Sequence, residues 1–330
     1  MPVGRVPQEQ SGVEVGVSRF PPELLYRAAR LYYLENATQA EVARTLGTSR
    51  PTVSRLLAEA RAVGIVHIEI REPQLLDTRE LAERVADALG LARVWVASGD
   101  AETSIGEVLA PSVAEALRAA DLRTGDTLLV SSGNTVNAVS YQRMPPLPGV
   151  VLAPTVGGRD EPAERYQTNE ITRRLAVQAG GTPVLLYAPA MPGPALYEQL
   201  VQDESIRRVT ELWTTARAAL LGIGAPTASR TVLPSMLPRE LDQLKDAVAD
   251  ICVRPFDTNG TPIPIPGVER LVAMKLDDLR RIPHSIGLAV GAEKVDGIVT
   301  SARSRYINEL VTDLPTAQLL LDAVATTRSA

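Results

Sequence analysis

Thr-Gln-Ala-Glu-Val-Ala-Arg-Thr-Leu-Gly-Thr-Ser-Arg-Pro-Thr-Val-Ser-Arg-Leu-Leu-Ala-Glu-Ala-Arg-Ala-Val-Gly, residues 38–64, is the stretch from which the rest of the chain is best read. It predicts two short helices joined by a tight turn. Thr38 is placed to cap the first, and Glu41, three residues on, completes a capping box. Ala40, Val42, Ala43 and Leu46 are the expected buried face of that helix. Gly47 ends it, because a residue without Cβ best tolerates the left-handed conformation that follows a helix. Ser49 caps the second helix, and Pro51 sits in its first turn, where a missing N–H costs nothing.

In the second helix Val53, Leu56, Leu57 and Ala60 recur at helical spacing and point inward. Arg50, Thr52, Ser54, Arg55 and Glu59 are left outside. Arginine can bond both acceptors of a guanine edge, and Ser and Thr hydroxyls reach phosphates or bases, so this face suits the DNA major groove. The expected DNA contacts are Thr38, Gln39, Ser49, Arg50, Thr52, Ser54 and Arg55. A plain surface helical hairpin would show a similar solvated face. The flanks favour DNA. Residues 22–33 predict an amphipathic helix with Leu24, Leu25, Ala28, Leu31 and Tyr32 as its stripe. Residues 65–70, Ile-Val-His-Ile-Glu-Ile, alternate like a strand, with His67 facing solvent. Helix, helix-turn-helix, strand is the order of a winged helix-turn-helix.

With 330 residues the chain exceeds one typical domain and can bury a sizeable core. A formal charge of −5 excludes a chain that coats nucleic acid along its whole length, but permits a small DNA-binding head on an acidic body. Glu23, Glu35, Glu41 and Glu59 offset the arginines of that head, so tight binding calls for several heads together. Cys252 is the single cysteine, which rules out an intrachain disulfide or thiolate metal site and predicts a buried structural thiol. With only His67 and His284, no histidine metal site and no cofactor are expected. Residues 1–20 lack an apolar core and read as a loose, disordered tail rather than a signal peptide. No run approaches the length of a membrane span, so the expected setting is cytoplasmic.

After a helix over residues 78–89, strands alternate with helices. Strand-like runs fall at residues 94–97, 127–131, 150–153, 184–187, 218–221, 286–290 and 309–311. Helices fall between them, at residues 105–117 and 170–179 among others. Short apolar runs separated by helices predict a doubly wound, parallel α/β sheet. Residues 251–276 break the rhythm, with two β segments expected around Asp257-Thr258-Asn259-Gly260.

Ligands of open α/β sheets sit beyond the carboxyl ends of the strands. Ser131-Ser132-Gly133-Asn134-Thr135 follows one strand and opens a helix, offering backbone N–H groups and hydroxyls to an anion. Gly157-Gly158, Gly222 with Gly224, Lys294 and Asp313 follow others, and Lys294 can supply a point charge to a phosphate. Taken singly, the glycines serve tight turns and Asp313 caps the last helix. Together they describe a pocket for a small, anionic, hydroxyl-rich molecule. Nucleotide readings fit poorly: Gly222-Ile-Gly-Ala-Pro-Thr227 lacks a third glycine, and no Walker loop or Ser-His-Asp set occurs.

From residue 22 to the C-terminus the chain resembles the SorC family of bacterial transcriptional regulators. The carriers are residues 39–57 in the head, then 130–135, Gly157-Gly158, Asp250-Ile251-Cys252 to Phe256-Asp257 and Gly260, residues 276–279, 290–294 and Thr312-Asp313. The resemblance implies a sugar-phosphate-isomerase-like body that serves as effector sensor and oligomerisation domain, commonly in tetramers. It implies that the Ser132–Thr135 loop and Lys294 hold an effector phosphate and that Asp257 binds sugar hydroxyls. Ser132-Gly133-Asn134 stands where relatives often have Trp-Gly-Thr, Gly291-Ala292 replaces a Gly-Gly pair, and Leu314 replaces an acidic residue.

The expected organisation is a winged helix-turn-helix at 21–72, a linker helix at 73–92 and an effector and oligomerisation domain at 93–330. The expected function is operator binding controlled by a small sugar phosphate or polyol, in a homo-oligomer that is not an enzyme. The competing reading is a sugar-phosphate isomerase or deaminase with a DNA-binding head. It needs a positioned base and a ring-opening acid, and the candidate loops offer Asp257, Glu293 and Asp313 but no histidine.

Overall fold

The computed structural model describes residues 20–35, 37–66, 73–99, 103–160, 163–226 and 242–329. Contacts divide the chain into two units, residues 1–71 and 72–330. In the first, α1 (Pro22–Ala29) runs into a π-helical turn, followed by α2 (Gln39–Thr45) and α3 (Arg50–Ala62). Both caps form as the local chemistry dictates. Thr38 Oγ1 accepts the Glu41 N–H at 3.3 Å while Glu41 accepts the Thr38 N–H at 2.8 Å, and Ser49 Oγ accepts the Thr52 N–H at 3.4 Å. The Thr38 hydroxyl, which donates to the Glu41 carboxylate at 2.7 Å, and then the Thr38 N–H hold that carboxyl below its usual range, so the cap is complete at neutral pH. Gly47 takes φ +63° and turns the chain between α2 and α3.

Leu25, Ala28, Ala29, Val42, Ala43, Val53, Leu56, Leu57 and Ala60 form the core of this unit. Two sequence expectations need correction. Ala40 is exposed, because it lies in the first turn of α2 and lines an open groove with Tyr32, Thr38 and Arg50, and Leu24, Leu31 and Tyr32 are only half-buried. The strand expected at residues 65–70 falls mostly outside the described residues, as do His67 and the tail before residue 20.

The second unit begins with α4 (Pro73–Leu89), then β1 (Arg93–Ala97), α5 (Ile105–Ala119), β2 (Thr127–Val130) and α6 (Asn134–Ser140). After these come β3 (Val151–Pro154), α7 (Thr168–Ala179), β4 (Thr182–Pro183), α8 (Pro194–Leu200), α9 (Glu204–Thr215) and β5 (Ala218–Gly222). The chain ends with β6 (Ala249–Ile251), β7 (Arg254–Phe256), α10 (Leu276–Leu279), β8 (His284–Leu288), α11 (Val295–Arg303), β9 (Glu309–Asp313) and α12 (Leu314–Ser329).

Seven strands form one parallel sheet in the order β1-β9-β8-β5-β2-β3-β4. Alternate residues serve opposite faces. Leu129, Ala219, Leu221 and Leu310 pack with α4, α9, α11 and α12. Leu128, Val130, Leu220, Ile286 and Val311 pack with α5, α6 and α7. Burial on both faces explains why these strands are apolar throughout rather than alternating. The inward face of α4, with Leu81, Val85 and Leu89, is filled by β1 and α12.

Residues 184–187 are not a strand. Val184 still donates to Leu152, but both backbone groups of Leu186 are met by the Asn169 side-chain amide at 3.0 Å. A side chain replaces the ladder, which no local pattern announces. The β6–β7 hairpin also closes elsewhere than expected, at Cys252-Val253, with φ +52° and +62°. Asp257-Thr258-Asn259-Gly260 makes a second turn, in which Asp257 Oδ1 accepts the N–H groups of Asn259 and Thr261. Burial pushes the Cys252 thiol up to about 12, consistent with a structural role. No described helix is long and apolar enough to cross a membrane.

Candidate functional site

In the first unit the two capped helices set the geometry. Val53, Leu56, Leu57 and Ala60 anchor α3, and this leaves Arg50, Ser54 and Arg55 exposed and Thr52 half-buried. Thr38 is exposed and Gln39 half-buried at the start of α2. An open groove of about 760 Å3 lies between the Tyr32–Tyr33 pair, Thr38, Gln39 and Arg50. The two tyrosines meet edge to face with centroids 4.9 Å apart. Sequence reasoning took Tyr32 for core. Its place beside three predicted DNA contacts was hidden because it lies in the π-helical turn beyond α1, where helical spacing no longer holds.

In the second unit the strand order reverses between β2 and β5: β3 and β4 continue outward on one side, β8 and β9 on the other. In open α/β sheets that reversal opens a crevice at the carboxyl edge. The loops found there are Ser131-Ser132-Gly133 and Gly222-Ile223-Gly224. They are tied together, since the Gly222 N–H donates to Ser131 Oγ at 2.7 Å and a Cβ on Gly222 would lie 3.0 Å from the Ser132 carbonyl. Ser132, Gly133, Gly222 and Gly224 are half-buried, Asn134 is exposed and Thr135 is buried.

Gly157 and Gly158 follow β3. A Cβ on Gly157 would meet the Ala188 carbonyl at 2.6 Å, so that glycine is required for close backbone approach. Lys294 is half-buried at the turn between β8 and α11. Asp313 Oδ1 accepts the Thr316 N–H at 3.0 Å and caps α12. Asp257 is held from another side. The turn it closes packs Gly260 against Ser304, and the Gly260 carbonyl accepts the Tyr306 hydroxyl, just before the amino end of β9.

Five glycine amides around this edge are already in use. The N–H groups of Gly133, Gly157, Gly158, Gly224 and Gly291 donate to Arg165 O, Val272 O, Ala188 O, Asp250 O and Thr316 Oγ1, at 2.7–2.9 Å. These bonds join residues far apart in sequence, so the spacing of glycines could not reveal them. Among the described residues no group of three His, Cys, Asp or Glu could hold a metal ion.

The comparisons agree with this geometry. Residues 74–322 match the Sugar-bind family of sugar-binding domains, and residues 24–84 match the Crp-like helix-turn-helix domain. The chain is 32% identical over 311 residues to the sorbitol operon regulator of Klebsiella pneumoniae, covering 90% of this chain and 97% of that protein. It is 29% identical to the deoxyribonucleoside regulator of Bacillus subtilis, over 93% of this chain and 99% of the relative. Full-length SorC from Klebsiella pneumoniae superposes with a TM-score of 0.66 and 31% identity, over 92% of this chain and all of that structure. The chain belongs to the SorC family, and it is a DNA-binding transcriptional regulator with a sugar effector.

Proposed function

We propose that α3 reads operator DNA through Arg50, Thr52, Ser54 and Arg55, with Thr38, Gln39 and Ser49 fixing register on the phosphates. The observation that carries this reading is the separation of faces in α3: Val53 and Leu56 are fully buried while Arg50 and Arg55 stand in solvent. Arg50→Ala and Arg55→Ala are each expected to cost about 1–3 kcal/mol of operator binding, roughly ten- to hundredfold. Gel retardation on DNA selected from a random pool by the unmodified protein measures it. Unchanged affinity in both variants would remove α3 as the reader.

The effector is assigned to the carboxyl edge, lined by the Ser132, Gly133, Asn134 and Thr135 loop with Gly157, Gly158, Gly222 and Gly224. Lys294 supplies charge, and Asp313 keeps one carboxylate oxygen for a hydroxyl while the other caps α12; Asp257, held beside the amino end of β9, is left out of this pocket. The class is a sugar phosphate or polyol; the relatives are named for sorbitol and for deoxyribonucleosides, both hydroxyl-rich. Lys294→Ala is expected to raise the effector concentration for half-response about tenfold without altering DNA affinity in its absence. A full response in that variant would take Lys294 out of the pocket.

The protein acts as a cytoplasmic homo-oligomer, a tetramer, because a head of modest charge needs others beside it. Residues 21–72 serve DNA, 93–330 serve effector and assembly, and 73–92 join them. The effector shifts operator affinity by binding one arrangement of the assembly more tightly than another. It is not turned over. His284 sits at the amino end of β8, bonded to Glu309 at 3.1 Å, at the edge opposite to the loops that would hold a sugar.

A further inference from the structure

At the start of α2 and of α3 the small hydroxyls are already engaged. Thr38 Oγ1 donates to Glu41 at 2.7 Å, and the hydroxyls of Ser49 and Thr52 lie 2.9 Å apart. Four longer polar side chains nearby are not. Tyr32, Tyr33, Gln39 and Arg50 make no side-chain hydrogen bond or ion pair among the described residues. All four line the open groove of about 760 Å3 in the first unit, the first three half-buried and Arg50 exposed. Both tyrosines stand in the π-helical turn Arg30–Leu34, and such turns are rare and occur frequently at functional sites.

The charge around this groove suits an anion. Its lining, completed by Ala37, Thr38 and Ala40, contains no acid. The two carboxylates nearest in sequence are spoken for, Glu35 by Arg30 at 2.9 Å and Glu41 by the Thr38 cap. Arg50 is left as the one charge on the wall, and it is the first residue of α3. Half-buried hydroxyls without a protein partner are met by water, which a ligand oxygen can displace. Tyr and Gln are among the side chains that hold DNA phosphates. We propose that Tyr32 and Tyr33, together with Gln39 and beside the Arg50 charge, grip one backbone phosphate of the operator. This rests on the reading of α3 as the DNA-contacting helix. It takes Tyr32 and Tyr33 out of the core and makes them a register contact, one that seats α3 on the duplex without choosing bases.

Gel retardation of the full chain tests it, on selected operator duplexes in which one phosphate at a time is replaced by a neutral methylphosphonate. At least one replacement is expected to weaken the unmodified protein about tenfold. Tyr32→Phe with Tyr33→Phe keeps both rings and removes both hydroxyls. That variant should bind the intact operator about tenfold more weakly and be indifferent to the same replacement. It should lose as much on random duplex, so that the ratio of specific to non-specific affinity holds, with the melting of the head unchanged. The single variants Tyr32→Phe and Tyr33→Phe should fall between. Arg55→Ala is the contrast, since it lowers that ratio. Unchanged operator affinity in the double variant overturns the inference. So does a methylphosphonate profile identical in the two proteins, or a fall in the ratio, which would put the tyrosines on bases. If Arg50→Ala and Arg55→Ala weaken binding while the tyrosine variants do not, this contact falls and α3 stands as the reader. No effect in any of them removes both.

Discussion

Leu56→Ala is expected to unfold the N-terminal unit and abolish operator binding while the body still responds to effector. Leu56 is fully buried among Leu25, Val42, Val53 and Ala60. Truncating a buried leucine costs about 2–5 kcal/mol. A unit of this size has little to spare, since small domains bury less of their surface and total stabilities are only about 5–15 kcal/mol. Calorimetry should show the loss of one transition with the other in place, alongside failed gel retardation. The contrast is Arg55→Ala, which loses binding without losing the transition. Normal operator affinity in Leu56→Ala would mean that the packed three-helix unit is not what holds the reading face.

Gly106→Val carries the second large effect, this time on the body. Gly106 opens α5, and a Cβ there would lie 2.4 Å from the Ala138 carbonyl oxygen and 2.7 Å from its carbon, both backbone atoms of α6. Backbone cannot swing aside, so α6 must move. The overpacking is expected to cost about 1–3 kcal/mol or more. It should also displace the Ser132–Thr135 loop, of which Asn134 and Thr135 are the first residues of α6. Effector response should fall more than about tenfold by the misplacement alone, with melting of the head unchanged. Gly193→Ala is the control: its Cβ would meet nothing within 4 Å, and it precedes α8, outside the effector loops. A normal response and body melting point in Gly106→Val would show that α5 and α6 are looser than their approach implies.

Local chemistry was legible in the sequence and distant chemistry was not. The Thr38–Glu41 box, the Ser49 cap and the Gly47 turn depend on neighbours within four residues, and all three stand where spacing puts them. The parallel strands were readable because burial on both faces leaves no room for polar residues. Residues 184–187 misled because their fate is decided by Asn169, on a helix before them in sequence. The hairpin misled because Cys252-Val253 takes left-handed conformations without Gly, Asn or Asp, whereas Asp257–Gly260 carries the usual turn residues. Around the carboxyl edge the glycines could be picked out by spacing, but not that several of their amides are bonded to residues far away in sequence.

Those bonded amides have an energetic corollary. Glycine amides tied to distant segments hold the loops of the cleft in place, so an incoming sugar spends little on organising the walls. More of its binding free energy is then left to tilt the balance between DNA-bound and DNA-free assemblies. A loosely built cleft of the same affinity would be a weaker lever on transcription.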